Sequence, residues 1–479
     1  MSVFATKSIT QILAQSEGKE GAGLQRSLGA GQLVALGIGA IIGAGIFTLT
    51  GVAAANHAGP AIVYSFILAA IGCAFAGLCY SEFSTMIPIA GSAYTYAYAT
   101  LGEVLAWIIG WALVLEYAVG AATVSVGWSA TVVSILHSLG IDLPQSLIAS
   151  PFDAMPGFLN LPAVLILILI SAILIVGIKE SARFNALIVV IKVTVVLLFI
   201  ALGYFYINRS NYTPFVPENT TGEFGAFGWS GVVRAASQIF FAYIGFDAVS
   251  TAAQEAKNPK RDMPIGIVGS LAICTVLYIL YALVLTGMVN YKDLNVAAPL
   301  AVAVDRMKEY PWIALLMKLG SLAGLTSVML VMLLGQSRVF YSMSRDGLLP
   351  KLFADVHPSF HTPWKSNLLL MVFVSIGAAF TPIGQLGQLT SIGTLFAFVI
   401  VCIGIIIMRR TQPDLPRPFK TPLVPLVPVL GILVNLGLMA SLPGVIWKVF
   451  LFWMMVGLII YFTYSRNKSV LQKSSGGMK

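Results

Sequence analysis

The sequence predicts an all-α polytopic membrane protein, and three observations carry that reading. Of the 479 residues, 58% are hydrophobic and only 10% charged, with a mean hydropathy of +0.89. That balance leaves too little polar surface for a water-soluble globule. Apolar runs of about 20 residues, each long enough to cross the bilayer core as a helix, recur twelve times along the chain. Lysine and arginine gather in alternate loops between the runs, as the orientation rule for membrane helices requires. The net charge of +9 therefore reads as orientation and not as a nucleic-acid partner.

The first six spans are expected to begin near Leu28, Ala61, Val104, Leu161, Arg183 and Trp229, and the other six near Pro264, Trp312, Ser366, Gly387, Leu423 and Val445. Residues 1–26 are polar and precede a run long enough to span by itself, so no cleavable signal is expected and the first helix serves as the anchor. With a cytoplasmic N-terminus, residues 7–26, 179–183, 257–261, 338–365, 409–420 and 466–479 fall inside and hold about twenty of the 28 Lys and Arg. The outer loops are acidic or mixed, at Asp142, Asp153, Glu218, Glu223 and Asp293. Three N-x-S/T sequons start at Asn208, Asn211 and Asn219 in one of these loops. They read either as glycan acceptors or as chance occurrences in a polar loop. Cys73, Cys79, Cys274 and Cys402 lie in apolar runs without metal-ligand or C-x-x-C spacing, so they read as packing residues.

Four glycines fall within nine positions of the first run, in Gly37-Ile38-Gly39-Ala40-Ile41-Ile42-Gly43-Ala44-Gly45-Ile46-Phe47. Each costs roughly 1 kcal/mol in a helix relative to alanine, so this segment is expected to break near the membrane midplane. Open backbone is tolerated there only against protein or a water-filled cavity, and freed N–H and C=O groups suit a small zwitterion. Close packing is the other use of glycine in membrane helices, and spacing alone leaves both readings open. The pattern is not the G-x-G-x-x-G of a dinucleotide site, and no strand accompanies it. A second interruption lies five spans later, in Phe240-Phe241-Ala242-Tyr243-Ile244-Gly245-Phe246-Asp247. Corresponding breaks in spans one and six are the pattern of an inverted-repeat transporter with its site between the repeats. The chain then divides into a cytoplasmic N-terminal segment (1–27), a first repeat (28–205), an extracellular loop (206–228), a second repeat (229–408), two peripheral helices (409–465) and a cytoplasmic tail (466–479).

A charge at the bilayer centre costs at least ~2.5 to 3.5 kcal/mol, so each one needs a reason. Lys192 lies about nine residues into the fifth span, too deep to reach either surface easily. It is a candidate proton carrier whose ammonium stands where other transporters bind sodium; the alternative is a structural lysine donating to helix-end carbonyls. Glu116, mid-way along the third span, holds a proton, faces the substrate's amine or side chain, or serves as a structural hydrogen-bonding group. Asp247 follows the second break and is placed to cap it. Glu82, Glu255 and Asp346 lie near cytoplasmic helix ends, where salt bridges account for them. Phe240, Phe241, Tyr243 and Phe246 act either as a gate over a bound ligand or as packing residues.

Taken together, these residues resemble the amino acid/polyamine/organocation transporters, specifically the cationic amino acid transporter branch and its proton-coupled bacterial-type members. The resemblance runs from about residue 26 to 410. It is carried by the glycine segment, Ile89-Ala90-Gly91-Ser92-Ala93-Tyr94, Leu113-Val114-Leu115-Glu116-Tyr117 and Ala182-Arg183-Phe184-Asn185 leading to Lys192. Phe241 to Asp247, Glu255-Ala256-Lys257-Asn258-Pro259, Arg338-Val339-Phe340-Tyr341 and Asp346-Gly347 complete it. The resemblance implies the LeuT-type fold of twelve helices, a 5+5 inverted repeat plus two peripheral helices, with helices one and six discontinuous. It implies that N–H groups of Gly43, Ala44 and Gly45 hold a substrate carboxylate and that the C=O groups of Ile41, Phe241, Ala242 and Ile244 receive its amine. Half-helix ends suit those charges. Phe241 matches the gating aromatic, and Lys192 matches the lysine that replaces a sodium site, so protons rather than sodium are the expected coupling ion and no cofactor is expected.

The segment Met329-Leu330-Val331-Met332-Leu333 is bulky and apolar where cationic-specific relatives carry smaller residues. With Glu116, Met329 and Met332 are expected to line the side-chain pocket, favouring small neutral amino acids such as alanine within a broad range. A transporter of arginine or lysine and an amino acid exchanger are the alternatives. An enzyme is not expected, because His57, His137, His357 and His361 fall in or near loops away from Glu116 and Lys192. A channel is not expected either, since no continuous polar path is visible. The expected setting is the cell membrane, with lipid and a small-molecule substrate as partners; the sequence is silent on an accessory subunit.

Overall fold

A computed structural model of the chain describes residues 5–7, 28–87, 92–153, 155–177, 182–251, 256–360 and 362–476. Glu255, His361 and the Ile89-Ala90-Gly91 part of the motif lie outside the described residues. Everything regular among the described residues is helical: α1 (Ala30–Ile41), α2 (Ile62–Met86), α3 (Ser92–Thr100), α4 (Glu103–Ser138), α5 (Leu161–Val176), α6 (Ala182–Gly203), α7 (Gly228–Ile239) and α8 (Phe246–Thr251) in the first half. The second half follows with α9 (Pro259–Met288), α10 (Pro299–Val304), α11 (Pro311–Arg345), α12 (Trp364–Phe380), α13 (Ile383–Thr411), α14 (Leu426–Ser441), α15 (Gly444–Ile460) and α16 (Val470–Gly476). Seven helical stretches among the described residues are long and apolar enough to cross a membrane, and α1, α5, α12 and α14 are shorter apolar helices. The chain is an all-α polytopic membrane protein.

Proline sets many of the helix starts. It occupies the first turn of α5, α9, α10 and α11, where its missing N–H costs nothing. It stands just ahead of α12, α13, α14 and α15 as Pro363, Pro382, Pro425 and Pro443. The apolar run that suggests a start at Pro264 belongs to a helix that begins at Pro259, because its first turn, Pro259-Lys260-Arg261-Asp262, is polar and helical at once.

Burial sorts the helices into a centre and a rim. The most apolar window of α4 is 83% buried and that of α13 78%, whereas in the stretch containing α15 the figure is 22%. Helix α4 packs along α11 and α13, while α9 packs against α1 and α2. Large apolar side chains such as Leu187, Val190, Leu451, Phe452 and Ile459 stay exposed on α6 and α15, as a lipid-facing surface requires. The four cysteines are free and fully inside the protein, consistent with packing roles.

Charges near helix ends are paired, as their positions suggest. Glu82 accepts from Arg409 Nε at 2.9 Å, from Arg409 Nη2 at 2.8 Å and from the Thr421 N–H at 2.8 Å. Asp346 accepts from Lys7 Nζ and from the Tyr94 hydroxyl, each at 2.8 Å. Glu103, which the sequence does not single out, is buried under the Tyr98 hydroxyl at 2.9 Å, the Tyr461 hydroxyl at 3.0 Å and Ser469.

Glycine in the first run proves to serve packing as well as interruption. Gly37 and Gly39 lie against Ser270 and Val189. At Gly45 an added Cβ would come within 2.1 Å of the Ala242 Cα, so the two interrupted helices touch backbone to backbone. Gly45→Val is therefore expected to destabilise the fold by about 1–3 kcal/mol through overpacking. The check is the thermal unfolding midpoint in detergent, and a midpoint equal to that of the wild type would refute this contact.

Candidate functional site

The site is built from two places where a helix stops and restarts. At the end of α1, Ile42 adopts φ −70° and ψ 108°, outside the helical region. A wide helical turn, Gly45–Leu49, then resumes the run. The N–H groups of Gly43, Ala44 and Gly45 open this second half, and the first N–H groups of a helix have no acceptor within it. Across from it, α7 ends in a tight 3₁₀ turn, Phe240–Tyr243; Ile244 is extended at ψ 136°, and Gly245 takes φ +118°. Only glycine adopts that conformation readily, and a Cβ there would also sit 2.6 Å from the Ala40 carbonyl oxygen. Helix α8 then begins, with the Asp247 carboxylate accepting from the Gly245 N–H at 3.2 Å. Asp247 thus bonds back to the unwound segment from the first turn of the second half-helix, and the Tyr117 hydroxyl lies 3.4 Å from its other oxygen.

Side chains tie the freed backbone groups together. The Tyr278 hydroxyl of α9 lies 2.8 Å from the Ile41 carbonyl oxygen and 2.9 Å from that of Ala242. Its single proton serves one of them at a time. Thr48 donates to the Ala44 carbonyl and Thr50 to that of Gly45 at 3.1 Å. The Phe241 N–H donates to Ser391 Oγ at 3.2 Å, and that hydroxyl lies 3.2 Å from the Gln238 carbonyl. The Phe241 carbonyl accepts from the Ile244 N–H at 3.1 Å, which leaves it a second lone pair.

Lys192 is 2% exposed and turned inward; its Nζ donates to the Gly39 carbonyl at 2.8 Å. Its stem lies over Gly324 of α11, where a Cβ would be 3.2 Å from Lys192 Cγ. Among the described residues no acidic side chain forms a salt bridge with it. Glu116 is equally buried, with Thr394 beside its carboxyl and Oε2 without a hydrogen-bond partner. Met329 and Met332 of α11 are both buried. Val328 packs on Gly43, and Met332 Sδ would lie 2.9 Å from a Cβ at Gly120, with the Phe241 ring 3.4 Å from the same point.

The structure does not bring Lys192 and Glu116 together. Lys192 packs at Gly324, whereas α4, one turn from Glu116, meets Met332 eight residues further along α11, about 12 Å of helical rise. Other buried groups, besides Glu103, escape the sequence reading. Tyr278 carries no signal beyond being a tyrosine in an apolar run. Lys318, six residues past the expected start near Trp312, could have been found by the rule that exposed Lys192. It is 1% exposed and paired with Asp305 at 2.6 Å.

Comparison with known proteins agrees with this geometry. The profile of the amino acid permease family matches residues 28–464. A methylthioribose transporter of Bacillus subtilis is 45% identical over 472 residues, covering 98% of this chain and 100% of the relative. The branched-chain amino acid permease BcaP of the same organism is 45% identical over 475 residues, 98% and 99% of the two chains. Vacuolar cationic amino acid transporter 4 of Arabidopsis thaliana is 36% identical over 364 residues, 76% of this chain and 60% of the relative. The chain belongs to the amino acid permease family of the amino acid/polyamine/organocation superfamily, with relatives among the cationic amino acid transporters, and is a transporter and not an enzyme.

Proposed function

We propose that the chain is a proton-coupled amino acid symporter that imports its substrate across the cell membrane by alternating access, with both termini cytoplasmic. The observation that carries this reading is the meeting of two helix interruptions at Gly45 and Ala242. There, half-helix N–H groups and unwound carbonyls come together, a pairing that suits the two ends of a zwitterion. In this reading Gly43, Ala44 and Gly45 hold the carboxylate, and the carbonyls of Ile41, Phe241, Ala242 and Ile244 receive the ammonium. Phe241 closes over the substrate. Lys192, buried against a neutral carbonyl, carries the coupling proton, so no sodium is required, and Glu116 contributes to coupling and to the pocket.

Val328 packs on Gly43 and Met332 lies near Gly120 and the Phe241 ring, so the side chains beside the first break are bulky and apolar. We therefore assign small neutral L-amino acids such as alanine as preferred, within a broad range. The branched-chain permeases among the relatives extend that range to valine and its homologues, and the plant cationic transporters are less similar. The methylthioribose transporter matches as well as the branched-chain permease does, so the thio sugar belongs in the same competition panel.

In proteoliposomes with only a proton gradient, the purified protein is expected to accumulate radiolabelled alanine. A strict requirement for sodium, or displacement of the label by methylthioribose alone, would overturn the assignment. Lys192→Ala is expected to abolish gradient-driven accumulation while retaining alanine binding by thermal shift; full accumulation by the variant would remove Lys192 from the coupling. In Tyr278→Phe two buried carbonyls lose their shared donor, so the substrate-free protein is expected to lose about 1–2 kcal/mol of stability. Alanine supplies the missing donors, and it should raise the melting midpoint of this variant more than that of the wild type. An equal rise in both proteins would separate Tyr278 from the amine site.

A further inference from the structure

We infer that a cavity between the end of α4 and the start of α11 holds the headgroup of an anionic phospholipid of the phosphatidylglycerol type, with the buried Lys318 as its innermost contact. The inference goes beyond the transport reading, and its test needs no part of that reading.

The cavity measures about 470 Å³, within the range of small-molecule sites. Ser138, the last residue of α4, lines one side of it, and Asp305, Lys308 and the first two turns of α11 line the other. Lys318 lies seven residues into α11, about 10 Å along the helix from its start, yet its Nζ donates to Ser138 Oγ at 3.1 Å. It therefore sits at the level where a neighbouring spanning helix ends. That is the level of lipid headgroups.

The polar floor of the cavity is incomplete. Lys318 is 1% exposed and carries three N–H groups, of which one serves Asp305 Oδ1 at 2.6 Å and another Ser138 Oγ. The Ser138 hydroxyl donates its own proton to the Ser134 carbonyl at 2.8 Å, so toward Lys318 it only accepts. The third lysine N–H has no acceptor among the described residues, and a buried donor is rarely left so. Lys308 lines the same cavity with an exposed side chain and forms no salt bridge among the described residues. Two lysines and one aspartate line the space, a balance of +1.

A phosphodiester supplies what is missing. One of its anionic oxygens accepts from the third N–H of Lys318 and the other from Lys308, which brings the charge balance to zero. The glycerol hydroxyls of the headgroup donate to the second oxygen of Asp305 and to the remaining lone pair of Ser138. A choline headgroup carries the same phosphate but adds a cation that opposes the lysines and has no proton to donate. The walls, in turn, continue into lipid. Trp312 is 65% exposed, and Leu316 and Leu319, four and seven residues further along the same face, are 50% and 51% exposed. An indole at this level anchors a helix in the interface, and the apolar strip beyond it leads an acyl chain away from the cavity. A soluble anion would make no use of that strip.

The test is native mass spectrometry of the purified, delipidated chain in detergent, titrated with dioleoylphosphatidylglycerol or with dioleoylphosphatidylcholine. The first phosphatidylglycerol is expected to bind at least about fivefold more tightly than phosphatidylcholine, the effect of one lysine at a membrane surface. Lys308→Gln changes an exposed side chain and should lose about that factor; Lys318→Gln, which removes the spare donor, should lose at least as much. Equal binding of the two lipids by the wild type, or an unaltered preference in Lys308→Gln, overturns the inference. These two measurements decide the matter if Lys318→Gln does not fold. Glycerol phosphate, the same anion without acyl chains, is expected to leave the bound lipid in place, and its displacing the lipid at equal concentration would overturn the assignment to a phospholipid.

Discussion

Everything at the centre of this molecule follows from one constraint: backbone N–H and C=O groups freed inside a low-dielectric layer must find partners there. Two helices give up their internal bonds at Ile42 and at Ile244, and several of the backbone groups around them are met by side chains. Tyr278 supplies one hydroxyl to both interruptions, Thr48 and Thr50 back-bond to Ala44 and Gly45, and Asp247 takes the Gly245 N–H. The close approach at Gly45 and the positive φ of Gly245 explain why glycine and not alanine stands at those two points. A site of this kind is polar by way of its backbone, which is why so few charged side chains are needed around it.

The buried ionisable groups make sense once they are sorted by partner and not by depth. Glu82, Glu103 and Lys318 are as inaccessible as Glu116 or Lys192, yet each is met by several donors or by an opposite charge. Paired groups of this kind hold helix ends in register. Lys192 differs, because its bonded partner is the neutral Gly39 carbonyl. Glu116 differs in the opposite sense, with an oxygen left unbonded. An incomplete shell, more than burial, marks the two as places where a proton or a ligand group can come and go.

Much of this was legible in the sequence because bilayer thickness dictates run length. Apolar runs located helix starts at Leu161, near Ala182 and near Gly228, and they were late by five residues at Pro259 and by four at Ile383, where the first turn is wholly or partly polar. Glycine density located the first interruption, and Phe-Phe-Ala-Tyr-Ile-Gly the second. What stayed hidden were the residues whose role is set by a partner far away in the chain. Tyr278 reaches Ile41 across 237 positions, and nothing local distinguishes it from the tyrosines around it. Glu103 was hidden for the same reason. Lys192 and Lys318 could both be flagged by depth, but depth could not tell a paired lysine from an unpaired one.

The arrangement also explains how one scaffold can serve relatives with different cargo. In the proposed reading the groups that grip a zwitterion's head are peptide atoms at the two interruptions, and peptide atoms change little when side chains are replaced. In the same reading the groups that meet the remainder of the substrate are side chains of α4 and α11, two long helices packed against each other. A substitution at Met329 or Met332 then changes the side chains of α11 and leaves the peptide atoms of the interruptions in place. Selectivity and the grip on the head group therefore reside on separate elements, and the first can be altered while the second is kept.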